Sequence, residues 1–379
     1  MIKRDLEKLL LDNLFQNKTV VLFGARQVGK TTLVNEVVSK LNMKSLVLNG
    51  DDADIRDLFD NATAARFRPV VSGYEIVIID EAQRIRDAGL GIKIIHDNFR
   101  EIQLIVTGSS SLELAAKIKE PITGRKHEFC LYPCSFGELA EHNGFLEEKR
   151  TLEQRLIFGS YPDVVAHPGR EKQILKELTS DYLYKDILAI GGIKKPALLE
   201  KVLKALALQV GNEVFFNEVA QICGSDKGTI EKYIDLLEKA YIVFRLPGLS
   251  RNVRNEIKRG KKIYFYDNGI RNAILGNFLP LRSRVDTGAL WENYLLSERI
   301  KLTSNLDERP EAFFWRTTQQ QGIDYIEETG GAFRVYEFKW NPVKKKALSK
   351  TFANAYSVKS FAVINPGNYH EFLTETDGI

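Results

Sequence analysis

Long apolar runs are missing from this chain of 379 residues. No stretch reaches the roughly 20 apolar residues that a bilayer crossing needs, so a membrane-spanning protein is not expected. Cysteine is scarce, with Cys130, Cys134 and Cys223 the only three. Three thiols make no disulfide framework, and a reducing compartment suits them better. His127 lies close to Cys130 and Cys134, but no second ligand cluster accompanies them, so zinc is not expected. An excess of one charge is lacking too: 54 Lys and Arg against 50 Asp and Glu leave a formal +4. Such a balance permits a nucleic-acid partner without arguing for one, because the basic residues would have to cluster. The opening MIKRDLEKLLLDNLF interleaves carboxylates with apolar residues and reads as an amphipathic helix, not the apolar core of a signal peptide. The expectation is a cytoplasmic globular protein of two or three domains, with a hydrophobic fraction of 44% and a charged fraction of 27%.

What is present is concentrated first in Thr19–Val34, TVVLFGARQVGKTTLV. A β-branched apolar run breaks at Gly24, passes through Ala25, Arg26, Gln27 and Val28 to Gly29, Lys30, Thr31 and Thr32, and continues as helix. This is G-x-x-x-x-G-K-[ST] between a strand and a helix, the setting that a phosphate-binding loop requires. The two glycines let backbone N–H groups face a polyphosphate, and the helix N-terminus adds partial positive charge. Lys30 is placed to reach the β- and γ-phosphates, and Thr31 to ligate Mg²⁺. ATP and Mg²⁺ are therefore the expected ligands.

A second short strand, Ser45–Leu48, is followed by Asp51 and Asp52. The apolar run Glu75–Ile79 has the character of a central parallel strand and ends in Asp80 and Glu81. Asp80 is the candidate for holding Mg²⁺, and Glu81 for orienting the attacking water. A further strand, Gln103–Val106, leads to Thr107, Gly108, Ser109 and Ser110. Ser109 and Thr107 either contact the γ-phosphate or cap a helix from Ser111. Arg125, before the strand-like His127–Tyr132, is either an arginine finger for a neighbouring subunit or a solvated loop charge.

The runs GARQVGKTT, IVIIDEAQR, IVTGSSS and GRKHEFCLYPCSFGEL, followed by Gly159–Asp163, IYFYDNGIRNAILG and GALWENYLLSE, resemble a large prokaryotic group of AAA-type ATPases over nearly the whole chain. The resemblance implies an α/β protein: an AAA-like P-loop parallel sheet with flanking helices over residues 1–150, then a helical and winged-helix segment with a basic linker over 151–262. A domain similar to PD-(D/E)XK nucleases would occupy 263–379.

The residues themselves support this order. Lys172–Ile190 and Lys194–Gly211 have helical spacing, and Phe216–Cys223, a turn, Lys227–Ala240 and the strand Tyr241–Leu246 follow the sequence of a winged helix-turn-helix. The second of its helices offers Lys227, Thr229, Lys232 and Tyr233 to DNA, against Glu231, Asp235 and Glu238. Ser250–Lys262 is the densest basic stretch, either a phosphate-neutralising surface or a solvated linker. Farther on, Phe333–Trp340 reads as a strand with Val335, Glu337 and Lys339 on one face. With Asp324 on the preceding strand and Glu292 on Gly288–Leu302, which reads as an amphipathic helix, these residues make a candidate metal-nuclease site, or else a charge pair at a strand end. The expected activity is Mg²⁺-dependent ATP hydrolysis coupled to a nuclease-like domain acting on or near DNA, with a homo-oligomer among the candidate assemblies. The alternatives are an ATP-gated endonuclease, and a nucleotide-dependent switch that binds DNA or a protein without cleavage.

Overall fold

The structure, a computed structural model, describes residues 2–109, 123–183, 195–249, 260–306, 309–317, 319, 321–343 and 346–374. The helix expected from Ser111 and most of the basic stretch Ser250–Lys262 lie outside the described residues. The chain forms two units, one mainly Met1–Cys134 and the other mainly Ser135–Leu188, Ile193–Glu238 and Ile242–Ile379.

The first unit is organised on five strands: β1 (Thr19–Phe23), β2 (Ser45–Asn49), β3 (Ile76–Asp80), β4 (Gln103–Gly108) and β5 (Lys126–Cys130). They lie in the order β2-β3-β4-β1-β5 and every pairing is parallel. Parallel neighbours require crossover segments, and helices on the sheet faces bury the central strands on both sides. Accordingly β1, β3 and β4 are buried at every position. Val21, Phe23, Val77, Ile79, Leu104 and Val106 share one core cluster with Phe59, Phe67 and Ile92 from the helices. Because the strands are parallel, the residues that follow them emerge at one common edge, where open α/β sheets bind ligands.

The second unit contains an antiparallel sheet of β6 (Glu213–Val214), β7 (Val243–Leu246) and β8 (Lys261–Phe265), in the order β6-β8-β7. The helices Pro196–Leu208, Phe216–Cys223 and Lys227–Lys239 accompany it. A mixed sheet, β9 (Glu311–Arg316), β10 (Gly322–Thr329), β11 (Ala332–Phe338) and β12 (Val358–Ile364), is antiparallel except for the parallel β11–β12 pair. The helix Thr287–Thr303 is buried on all sides, which explains its lack of amphipathic patterning. Its Arg299 guanidinium forks onto Glu327 of β10 at 2.7 and 3.0 Å, with both side chains out of water.

The stretches GSYPD, YDNGIRN and WEN of the sequence meet inside this unit as a polar joint. Asp267 accepts the Ser160 N–H at 2.7 Å and the Ile270 N–H at 3.1 Å. Asn272 donates to the carbonyls of Leu156 and Ile157, satisfying the last turn of the helix Leu152–Phe158. Asn293 accepts from the Phe265 N–H and donates to its carbonyl. These motif residues hold backbone to backbone. Gly159 has φ +71°, and a Cβ there would stand 2.0 Å from the Asp267 carboxylate. Gly159→Ala is therefore expected to destabilise this unit by roughly 1–3 kcal/mol, read from urea unfolding, with ATP binding by the first unit retained.

Candidate functional site

The phosphate loop begins where β1 ends. A Cβ on Gly24 would lie 2.1 Å from the Leu131 carbonyl, so the loop turns flush against the segment after β5. The Leu131 N–H donates to the Phe23 carbonyl at 2.8 Å on the same side. Gln27 and Gly29 both have positive φ, the latter +95° at the cap of the helix Lys30–Leu41. Val28 is buried between them, while Thr31 and Thr32 are exposed at the helix mouth.

Lys30 is 5% exposed, and its ammonium donates to the carbonyls of Gly24 at 3.0 Å and Ala25 at 2.8 Å. Burial pulls its pKa below the ordinary lysine value, while Glu81 and Asp80 pull it back up. The ammonium thus sits folded onto its own loop, held by two oxygens that phosphate oxygens can replace.

Asp80 ends β3 and faces this helix. Thr31 Oγ1 donates to Asp80 Oδ2 at 3.0 Å, and Thr107 Oγ1 donates to Asp80 Oδ1. A hydroxyl and a carboxylate in contact are hard oxygen donors of the kind that Mg²⁺ prefers, so the residues fit the ion. Thr107, a candidate for the γ-phosphate, is fully buried and instead orients Asp80. Glu81 takes the left-handed conformation, φ +50° and ψ +40°, costly for a non-glycine residue and of the kind found at functional sites. Gln83 then joins the next two elements: its Nε2 donates to Glu81 Oε2 and to Ser109 Oγ, and its Oε1 accepts the Ser109 N–H. The structure thereby brings Gly24–Thr32, Asp80, Glu81 and Ser109 together. Arg125 is elsewhere. Its carbonyl accepts the N–H of Thr19, which opens β1, so it stands at the end of β1 and β5 away from its own phosphate loop. Its guanidinium lies 3.4 Å from Asp97.

Two residues here escaped the sequence reading. Gln83 follows the Asp-Glu pair by two positions, and that short spacing was its only signal. Arg4 had none. It is buried, and it donates to the Val28 carbonyl within the phosphate loop at 2.8 Å and to the Tyr132 carbonyl at 2.6 Å.

In the second unit Asp324, Glu337 and Lys339 also meet. Lys339 Nζ lies 3.1 Å from Asp324 Oδ2 and 3.0 Å from Glu337 Oε2, and Lys346 reaches the other Glu337 oxygen. Glu292 is otherwise engaged, accepting from Lys262 Nζ at 2.8 Å and from the Tyr264 hydroxyl. Among the described residues no group of three His, Cys, Asp or Glu side chains is arranged to hold a metal ion. Glu292 is thus held by Lys262 and Tyr264, while the Lys339 and Lys346 ammonium groups lie against Asp324 and Glu337. Burial first, then the charge and hydrogen bond of Asp324, push Glu337 up to about 7 against the pull of Lys346 and Lys339. Burial alone would raise Asp324 as well, but Lys339, the Glu337 hydrogen bond, Lys262 and the Phe338 amide leave it below the usual carboxylate value.

On the helix Lys227–Lys239, Tyr233 is buried, and Thr229 donates its N–H and its hydroxyl to Asp226. Asp235 and Glu238 turn to Arg245 of β7, leaving Lys227 and Lys232 exposed.

With a phosphate loop, a strand-end Asp-Glu pair and a parallel sheet that has β1 between β4 and β5, the chain is an ATPase. The comparisons agree. Residues 16–140 match the family model described as an AAA domain, and residues 149–280 and 287–377 match two described as domains of unknown function, DUF8612 and DUF4143. An uncharacterized protein of Mycobacterium tuberculosis is 26% identical over 386 aligned residues, covering 99% of this chain and 82% of the relative. One from Haemophilus influenzae is 24% identical, covering 68% and 69%. Among solved structures, the Walker-type ATPase PABY2304 of Pyrococcus abyssi has a similar fold, with a TM-score of 0.52 and 15% identity over 73% of this chain and 96% of that one. No helix among the described residues is long and apolar enough to cross a membrane.

Two outcomes test this geometry. Arg4→Ala is expected to raise the KM for ATP by about tenfold through loss of loop positioning, with Arg4→Lys recovering part of it, whereas Gln83→Ala is expected to lower kcat by about tenfold. The third outcome concerns Glu337. Its folded value lies above the ordinary 4.5, so its contribution to stability is complete below that pH and is lost as pH rises through about 7. Glu337→Gln is expected to flatten the fall in melting temperature between about pH 5 and pH 8.

Proposed function

We propose that this ATPase is a nucleotide-dependent switch, whose second unit binds DNA or a protein partner without cutting it. ATP enters at Gly24–Thr32, where Lys30 exchanges the Gly24 and Ala25 carbonyls for β- and γ-phosphate oxygens. Thr31 and Asp80 would hold Mg²⁺, which when bound neutralises phosphate charge. Glu81, steadied by Gln83, orients the attacking water and accepts its proton; Ser109 stands beside it as the polar residue toward the γ-phosphate.

The observation that carries binding without cleavage is the neutralised pair in the second unit: Lys339 and Lys346 occupy the oxygens of Asp324 and Glu337. The helices Phe216–Cys223 and Lys227–Lys239 with the three-stranded sheet support a winged-helix reading of that region, in line with the division at about residues 150 and 262. A rival reading, ATP-gated DNA cleavage, is supported by the convergence of Asp324, Glu337 and Lys339 alone.

Purified Lys30→Ala is expected to lose ATP binding, and Glu81→Gln to bind ATP with turnover reduced at least a hundredfold. With plasmid and Mg²⁺ or Mn²⁺, no cleavage is expected from the parent protein. Cleavage lost in Lys339→Ala would replace the switch by the rival reading. Salt-dependent DNA binding identifies DNA as the partner, and its absence at low salt argues for a protein.

A further inference from the structure

A cleft lies at the end of the first sheet away from the phosphate loop. Its larger part, about 370 Å³, is lined by Gln16, Asn17, Lys18, His96, Arg100 and Arg125, with Asp97 and Gly124. An adjoining part of about 340 Å³ shares Asn17, Lys18, His96 and Arg100 and adds Phe15 and Glu101, among others. Thr19 opens β1 here, and the five residues of β1 put about 13 Å between this end and Phe23, which precedes the phosphate loop. The cleft is therefore separate from the ATP site.

Its wall is unusually built. Phe15 and Asn17 both have positive φ, +60° and +55°, a conformation that non-glycine residues adopt at a cost. Buried Gln103 fixes them, accepting the Phe15 N–H with Oε1 and donating to the Lys18 carbonyl at 3.0 Å. Phe15 is 47% exposed beside the cleft. Among the described residues, neither the Lys18 ammonium nor the Arg100 guanidinium has a hydrogen bond or ion pair. Arg125 leans on Asp97 at 3.4 Å, both half-exposed. Burial, with Arg125 and Arg100, lowers the His96 pKa against the pull of Asp97, so this ring contributes hydrogen bonding more than charge; its Nδ1 is 3.3 Å from Thr19 Oγ1.

We propose that this cleft binds a nucleoside phosphate unit, with the phosphate at Lys18 and Arg100 and the base against Phe15. An exposed aromatic beside unpaired cations is how proteins hold single nucleotides and unpaired strands, the ring accepting any base and the cations tracking phosphate. Asn17 supplies an amide for a base or sugar edge. Asp97 and Glu101 at the same cleft limit its net charge, so affinity rests on the ring as much as on phosphate neutralisation.

The test uses the full chain carrying Lys30→Ala, so that the phosphate loop takes no nucleotide. A short fluorescein-labelled oligothymidylate is titrated at low salt, with thymidine 5′-monophosphate as competitor. Binding that weakens with salt is expected, falling about tenfold in Phe15→Ala and at least tenfold in Arg100→Glu. In the Lys30-containing background the same two substitutions are expected to leave ATP hydrolysis unchanged, which shows that the fold is intact. Displacement by the monophosphate identifies a free nucleotide as the ligand; displacement only by longer oligonucleotides identifies a strand. No binding at low salt, or binding equal in parent and both variants, overturns the proposal.

Discussion

A lysine ammonium removed from water must find oxygen close by, or lose several kcal/mol of solvation without return. Lys30 meets that constraint with the Gly24 and Ala25 carbonyls of its own loop, in the field of Asp80 and Glu81. Much of the first unit serves this arrangement. The positive φ values at Gln27 and Gly29 curl the loop around the ammonium, and Arg4 pins it from outside through the Val28 carbonyl. The parallel order β3-β4-β1 delivers Asp80 and Ser109 to the edge where the loop emerges. Both contacts of Lys30 are to neutral carbonyls, so a polyphosphate offering formal negative charge can displace them.

The second unit is governed by buried polar pairing of another kind. Asp267, Asn272 and Asn293 satisfy backbone groups that the short helices and turns leave open. Arg299 and Glu327 tie the central helix to the mixed sheet. The polar residues of the runs IYFYDNGIRN and GALWEN are thus the joinery of the fold. The trio Asp324, Glu337 and Lys339 belongs to the same economy of charge: burial and Asp324 raise the Glu337 pKa, and two ammonium groups lie against its carboxyl.

The ATP site was legible because its chemistry is local. Glycine spacing, the following Lys-Thr and the apolar strand ending in Asp-Glu lie within short windows whose periodicity reads directly. The alternation that places Glu337 and Lys339 together was legible for the same reason, and the β10–β11 hairpin duly brings Asp324 to them. What local patterns omit is the partner across the fold. Thr107 could be read as polar, but not as Asp80's hydrogen-bond donor; Arg4 reaches a loop 24 residues away and a carbonyl 128 residues away. Tyr233 sits on an amphipathic helix whose inner and outer faces can be told apart only once β7 and Arg245 are in place. Glu292 carries a carboxylate on the expected helix, yet Lys262 and Tyr264, both on β8, decide what that carboxylate meets.

The most direct measurement is a crystal structure of this chain with Mg²⁺ and a non-hydrolysable ATP analogue. The Lys30 ammonium is expected to have left the Gly24 and Ala25 carbonyls for the β- and γ-phosphates, with the ion at Thr31 and Asp80 and the γ-phosphate facing Glu81. A nucleotide bound away from Gly24–Thr32, or bound there with Lys30 still on its own loop, would contradict it.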